Sequence, residues 1–460
     1  MADTSKTELF ETMPIPRAVM TLAIPTICSS LVMVIYNLAD TYFVGMLNDS
    51  VQNAAVTLAA PVLLAFNAVN NLFGVGGSSM MSRALGSKDY EVVARSSAFA
   101  FFCALFFSVL FSVGYTAADS FMLGVLGAEA DTWDATAAYL MWTVTCGAVP
   151  AILNVVMANL FRAEGSTLHA SIGTMSGCLL NIILDPIFIL PWGLNMGAAG
   201  AGCATFISNC VACLYFFVLL FVRRGKTYVC IKPSMFGFRK SIAFGVFAVG
   251  IPAAIQNLLN VAGMTILNNL TAAWGSEAVA AMGIAQKINM VPMYVAMGFG
   301  QGIMPLWGYN FASGDGKRLK NAVKFGLTSC VVFLLAMMVA MQLGAGFLIS
   351  LFMENATVVA YGTRFLRGFS LAMPFMAVDF LAVAVFNACG KGSRALIFAI
   401  LRKVAFEIPA LFILNAIFPL YGLAYAQAAA EVLMAVITIT VLTRFLRKLP
   451  DRREPAAAAA

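Results

Sequence analysis

Apolar stretches long enough to cross a lipid bilayer recur along almost the whole of this chain, and they leave few folds open to it. A spanning helix needs about 20 mainly apolar residues. Twelve stretches meet that need, near residues 18–44, 56–80, 96–117, 138–161, 170–191, 197–222, 242–272, 278–304, 323–349, 368–388, 396–418 and 421–443. The composition is of the same kind, with 61% hydrophobic and only 11% charged residues, where a soluble domain carries about 25% charged. The predicted fold class is therefore all-α integral membrane, with twelve transmembrane helices in two six-helix lobes related by a pseudo-two-fold axis. The lobes are expected over 18–222 and 242–446, joined by a linker at 223–241 and flanked by segments 1–17 and 447–460. No cleavable signal peptide is expected, because the first 17 residues are polar and carry Pro14 and Pro16. The end of the chain, Pro455 to Ala460, is set aside as a vector-derived tail.

The charges order these spans across the membrane. All but three of the 28 lysines and arginines fall in the two end segments and the even-numbered connections, among them Lys88, Lys226, Arg239, Lys317 and Arg394. The odd-numbered connections carry acids instead: Asp49, Asp119, Glu129, Asp131, Asp134, Glu277 and Glu354. Lysine and arginine collect in cytoplasmic loops, so both termini are placed in the cytoplasm of a multi-pass cell-membrane protein. The formal charge of +7 is then a topology signal, and nucleic acid is not an expected partner. Of the three remaining bases, Arg364 and Arg367 suit the start of the tenth span, where long side chains snorkel to the interface. Lys287 lies within the eighth.

The two halves resemble each other. Ala23-Ile24-Pro25 answers Gly250-Ile251-Pro252; Gly74 and Gly86 answer Gly302 and Gly314; Pro150 and Gly165 answer Pro374 and Gly390. Six spans per half give both halves the same orientation, and parallel repeats of this kind mark transporters whose site lies between halves near the midplane.

Some apparent motifs carry no chemistry. Most of the ten cysteines sit in apolar runs, where cysteine acts as a small hydrophobe. Cys210-x-x-Cys213 has a redox or zinc spacing but no second ligand pair, and packing is its expected role. Glycines at Gly74-Val75-Gly76-Gly77 and between Gly197 and Gly202 lack a strand-turn-helix context and read as close helix packing. His169 has no second ligand in the sequence.

Acids inside spans are functional hypotheses by default, because charge is costly in hydrocarbon. There are five: Asp40, Asp185, Asp379, Glu407 and Glu431. Asp40 and Asp185 both lie toward the outer ends of outward-running helices, and Thr205 reaches a similar depth on the sixth. Asn181 precedes Asp185 by four residues and shares its helix face; Tyr36 and Asn37 precede Asp40. This hard-oxygen set of Asp40, Asn181, Asp185 and Thr205 suits either Na⁺ or a proton, or else a hydrogen-bonded cluster that ties helices together. Asp379 either meets a cation or cationic substrate or pairs with Lys287 or backbone; Glu407 follows Lys403 by four residues, as a helical ion pair would; Glu431 has no evident partner. Met282, Met290, Met293, Met297, Met373 and Met376 gather on the eighth and tenth spans, as an adaptable binding surface or as ordinary core.

The stretch from Tyr36 to Gly45 (YNLADTYFVG), the stretch from Asn181 to Ile189 (NIILDPIFI) followed by Gly197 to Thr205, and Arg162-Ala163-Glu164-Gly165-Ser166 together resemble the multidrug and toxic-compound extrusion (MATE) family, in its prokaryotic DinF-like branch. The resemblance implies a cation-coupled antiporter that exports small, amphipathic, often cationic drugs or metabolites by alternating access. Its coupling ion, Na⁺ or H⁺, would bind at Asp40, Asn181, Asp185 and Thr205. Substrate contacts would come from Met33, Tyr36, Asn37, Asn154, Gln256, Asn257, Met290 and Asp379. Another branch keeps a glutamate on the seventh span, but Gly250 to Met264 holds Gln256, Asn257 and Asn260 and no acid. A monomer with no nucleotide-binding subunit, no cofactor and no enzymatic activity is expected. A lipid-linked saccharide flippase of the same superfamily is the alternative; it would be expected to carry several basic cavity residues, and Lys287 is the single deep candidate.

Overall fold

The computed structural model describes residues 4–47, 49–353 and 355–451, so Glu354 and the tail from Pro455 to Ala460 lie outside the described residues. Among the described residues the regular structure is entirely helical. Eight helices are long and apolar enough to cross a membrane, and two bent pairs bring the number to ten. Two further runs complete the twelve expected. One is Ser276–Ser313, whose glycines, prolines and amides dilute its hydropathy. The other passes through Gly392–Ile400, Leu401–Glu407 and Ile408–Ile417 and carries charge at its centre.

The bent pairs are the fourth span, Trp133–Cys146 with Ala148–Ala163, and the tenth, Ala356–Ser370 with Met373–Ala388, which turn by 50° and 47°. Pro150 and Pro374 stand in the first turns of the second arms. Proline has no N–H to donate and its ring crowds the preceding turn, which weakens the helix at these points and favours a kink there. The tenth span also begins earlier than its sequence suggests: the arm from Ala356 places Arg364 and Arg367 within the helix, with Arg364 over the Tyr421 ring at 4.6 Å.

The chain forms two compact units, Met1–Leu9 with Cys28–Ala254 and Phe10–Ile27 with Ile255–Ala460. In the first unit the opening half of the seventh span (Lys240–Ala272) lies against the second span (Val51–Gly86). A Cβ on Gly250 would overlap the Leu72 carbonyl oxygen, and one on Gly76 would overlap that of Val246. In the second unit the opening half of the first span (Ile15–Gly45) lies against the eighth in the same manner: a Cβ on Gly302 would stand 2.7 Å from the Leu22 carbonyl and 3.0 Å from the Ala23 Cα. These three glycines thus sit where backbones touch, as small residues do between membrane helices, whereas Gly74, the repeat partner of Gly302, faces the Asn159 side chain. Gly250→Val is expected to cost about 1–3 kcal/mol or more through overpacking, read as lost folded yield and a lower Tm in detergent.

The second unit also ties Phe10 and Met13, ahead of the first span, and Asp451, after the twelfth, to its ninth span. The Arg318 guanidinium donates to the Phe10 and Met13 carbonyls, both at 2.7 Å, and Phe10 stacks on Tyr309 at 4.8 Å. Lys320 donates to Asp451 at 2.8 Å and holds that carboxyl below the usual carboxylate range. In the first unit, buried Glu164 accepts from the Thr227 hydroxyl at 3.0 Å and the Tyr228 amide at 2.6 Å, which fastens the segment after the sixth span onto the turn after the fourth.

Candidate functional site

A tight hairpin brings three of the four expected ion ligands together. The fifth span, Thr167–Ile189, and the sixth, Gly197–Val222, are joined by a turn closed by Leu194 N–H to Ile187 C=O (2.7 Å) and Met196 N–H to Phe188 C=O (2.9 Å). The turn needs positive φ at Asn195 and Gly197, which asparagine and glycine tolerate. Glycines then let the two helices run close, with Gly173 under the Phe216 ring and Gly177 3.1 Å, as a Cβ, from Ala212 Cβ and the Ser208 carbonyl. Asn181 stands eight residues before Ile189 and Thr205 eight after Gly197, so equal rise from the hairpin sets them face to face.

Asn181 bridges the pair. With its amide nitrogen toward Asp185 it donates to both carboxylate oxygens at 2.7 and 3.2 Å, while its oxygen accepts from the Thr205 hydroxyl at 3.3 Å and amide at 3.1 Å. A carboxylate can only accept, so this is the orientation that satisfies an ionised Asp185. Turned the other way, the amide nitrogen would face the Thr205 N–H, donor against donor, so the first orientation is the one the surroundings satisfy. Asp185 and Asn181 are fully buried.

The first span carries the fourth of the expected residues. Asp40 is half-buried near its end, and its carboxylate and that of Asp185 act on each other electrostatically. Tyr36, one turn earlier, brings its hydroxyl within hydrogen-bonding reach of Thr205. Tyr139, buried on the first arm of the fourth span, lies in the field of both acids. The sequence reading missed Tyr139; nothing in the apolar run around it separates it from an ordinary core tyrosine. All of these residues belong to the first unit.

Of the other residues expected to meet substrate, Met33 is exposed, Asn37 half-buried, and Asn154 buried with its amide donating to Asn209 at 2.8 Å and to the Pro150 carbonyl at 2.9 Å. In the second unit Asn257 and Met290 are half-buried, and Gln256 keeps a buried Nε2 with no hydrogen-bond partner among the described residues. Met282, Met373 and Met376 are core residues. Asp379 is fully buried, and its partner is neither Lys287 nor backbone: Arg402 on the eleventh span donates to it at 3.0 Å. By loop charge Arg402 counts with Lys391 and Arg394 in the tenth connection, whereas the structure buries it within the eleventh span. The same guanidinium donates to Asn260 at 2.9 Å, stacks over Phe380 at 5.0 Å and lies 3.8 Å from Glu431, which therefore has a partner. Lys403 and Glu407 form the expected ion pair at 2.7 Å. His169 also has a partner, since its Nδ1 lies 3.1 Å from the Tyr215 hydroxyl. Cys210 and Cys213 are both free thiols.

Repeated lobes of spanning helices, two of them broken, with buried acids held between helices, define a polytopic membrane transporter. The family model MatE matches the chain twice, over residues 25–187 and 252–413, once in each half. The chain is 32% identical to a multidrug export protein MepA of Staphylococcus saprophyticus over 433 residues, 94% of each chain, and 31% identical to a MepA of Staphylococcus aureus (strain MRSA252) over 94% of each. A solved structure of a multidrug resistance MATE family transporter of the MOP superfamily, in an outward-facing conformation, superposes with a TM-score of 0.91 at 25% identity, covering 98% of this chain and 99% of the other. A MOP superfamily transporter from Pyrococcus furiosus shares the fold, with a TM-score of 0.89 over 98% of this chain and 99% of its own. The chain belongs to the MatE family of multidrug and toxic-compound extrusion transporters.

Proposed function

We propose that the protein exports small, amphipathic, often cationic compounds across the cell membrane by alternating access, driven by inward movement of Na⁺ or H⁺ through the Asp40–Asn181–Asp185–Thr205 cluster. The observation that carries the reading is the placement of two mutually repelling carboxylates in one unit, the fully buried one held by the Asn181 amide. Two like charges in a medium of low dielectric favour a bound cation or proton. A ligand shifts a conformational equilibrium by its differential affinity for the two states. Ion entry would quench the repulsion, release the Asn181 bridge and let the first, fifth and sixth spans repack, expelling substrate. The names of the MepA relatives support multidrug export as the activity. The protein is read as a monomer that uses no nucleotide.

The reading is tested in liposomes loaded with a cationic dye. Dye efflux is expected to accelerate when either an inward Na⁺ or an inward H⁺ gradient is imposed alone, and the effective gradient names the coupling ion. Efflux at one rate under both gradients and under none contradicts it. Orientation has its own test. In a cysteine-depleted background, cysteines placed at Asp49 and Glu129 should react with an impermeant thiol reagent from outside, and those at Lys88 and Lys317 should not. The opposite sidedness would reverse the proposed topology.

A further inference from the structure

The second unit contains a charge cluster that the coupling mechanism does not use. Its members come from three spans: Asp379 on the tenth, Arg402, Lys403 and Glu407 on the eleventh, and Glu431 on the twelfth. Three acids face two bases. Glu407 has Lys403 at 2.7 Å, and Asp379 has Arg402 at 3.0 Å with the Thr438 hydroxyl at 3.5 Å. Glu431 is the acid left over. Arg402 reaches it at 3.8 Å, too far for a hydrogen bond, and its Oε2 is buried with no hydrogen-bond partner among the described residues. Its own helix carries no other charge before Arg444, and Arg364, on the tenth span, is drawn away over Tyr421. A carboxylate buried at 2% exposure with no full counter-ion is strongly disfavoured, and such a group takes up a proton instead.

The backbone beneath the cluster is unusual as well. Leu401–Glu407, which carries Arg402, Lys403 and Glu407, is a π-helical turn, a form frequent at functional sites and seen also at Asn70–Val75 and Met141–Cys146. Pro409 follows directly and has no N–H for the Ala405 carbonyl, so the helix is already loosened where its charges sit.

We propose that Glu431 is a proton-binding site in the second unit, separate from the ion site of the first, and that its proton decides whether Arg402 is held by Asp379 alone or shared with Glu431. With Glu431 neutral, the cluster is balanced, Asp379 and Glu407 against Arg402 and Lys403, and Arg402 stays on Asp379. When the proton leaves, the cluster carries an excess negative charge and the guanidinium is pulled across the remaining gap. The site is independent of which ion the first unit takes.

Infrared spectroscopy of the full chain reads this directly, because a protonated carboxyl has a C=O stretch that an ionised one lacks. The background is Asp40→Asn with Asp185→Asn, which removes the first unit's acids from the signal. The expected spectrum keeps a deuterium-sensitive carboxyl band at neutral pH that is lost at alkaline pH and absent after Glu431→Gln. In that background Asp379→Asn, which leaves Arg402 to Glu431, should also abolish the neutral-pH band. This second arm reads the same group without altering it. No carboxyl band at neutral pH in the background protein, or a band that survives Glu431→Gln, overturns the proposal. So does a neutral-pH band unchanged by Asp379→Asn, which would mean that the proton has no hold on Arg402. Failure of the first unit's acids to couple transport would leave these spectra as expected, so the two readings fail separately.

Discussion

Asp185→Asn and Asp40→Asn are each expected to reduce gradient-driven dye efflux to the leak of protein-free vesicles, with the protein still folded and inserted. An amide is nearly isosteric with a carboxyl and costs less to bury than a charge, so stability should be kept or raised. What disappears is the change of charge. Asp185 shares Asn181 with Thr205, and an amide at position 185 can hydrogen-bond Asn181 in one fixed arrangement regardless of pH or Na⁺. The ion then binds both conformations alike and shifts nothing. Efflux normalised to reconstituted protein is the measurement, and near-normal rates in both variants would make the cluster a structural tie.

Arg402→Gln carries the largest expected effect on stability. The side chain is 5% exposed and engages Asp379, Asn260 and Glu431 at once. Removing one partner of a buried ion pair leaves the other uncompensated, at about 3–5 kcal/mol. The Tm in detergent should fall clearly, and Asp379→Asn in the same chain should restore most of the loss, because the stranded charge is then gone. A single variant as stable as the parent would show that the pair is not held in the folded protein.

The parts of this molecule that could be read from sequence are those set by local chemistry. Span number followed from hydropathy, and Asn181, Asp185 and Thr205 could be grouped because helix periodicity and a short hairpin fix their relative heights. Contacts made across distant spans could not be read in this way. Arg402 follows Lys391 and Arg394 so closely that a loop-charge rule absorbs it; only the packing of the tenth, eleventh and twelfth spans shows that it is buried on Asp379. The repeated Pro150 and Pro374 were visible as symmetry, yet the 50° and 47° bends beside them depend on how each arm packs. Tyr139 was hidden for a related reason: an aromatic in an apolar run is ordinarily core, and its place beside two acids comes from the fold.

The central claim is that ion entry at the first unit's acids and drug exit are one event. The most direct measurement follows both fluxes together, with an outward dye gradient as the only driving force and an internal pH indicator or radiolabelled sodium as the second signal. The expected result is uphill inward movement of one ion in step with dye leaving, present in the parent protein and absent in Asp185→Asn. Dye leaving the parent vesicles with no accompanying ion movement, or ion movement that persists in Asp185→Asn, would contradict the account.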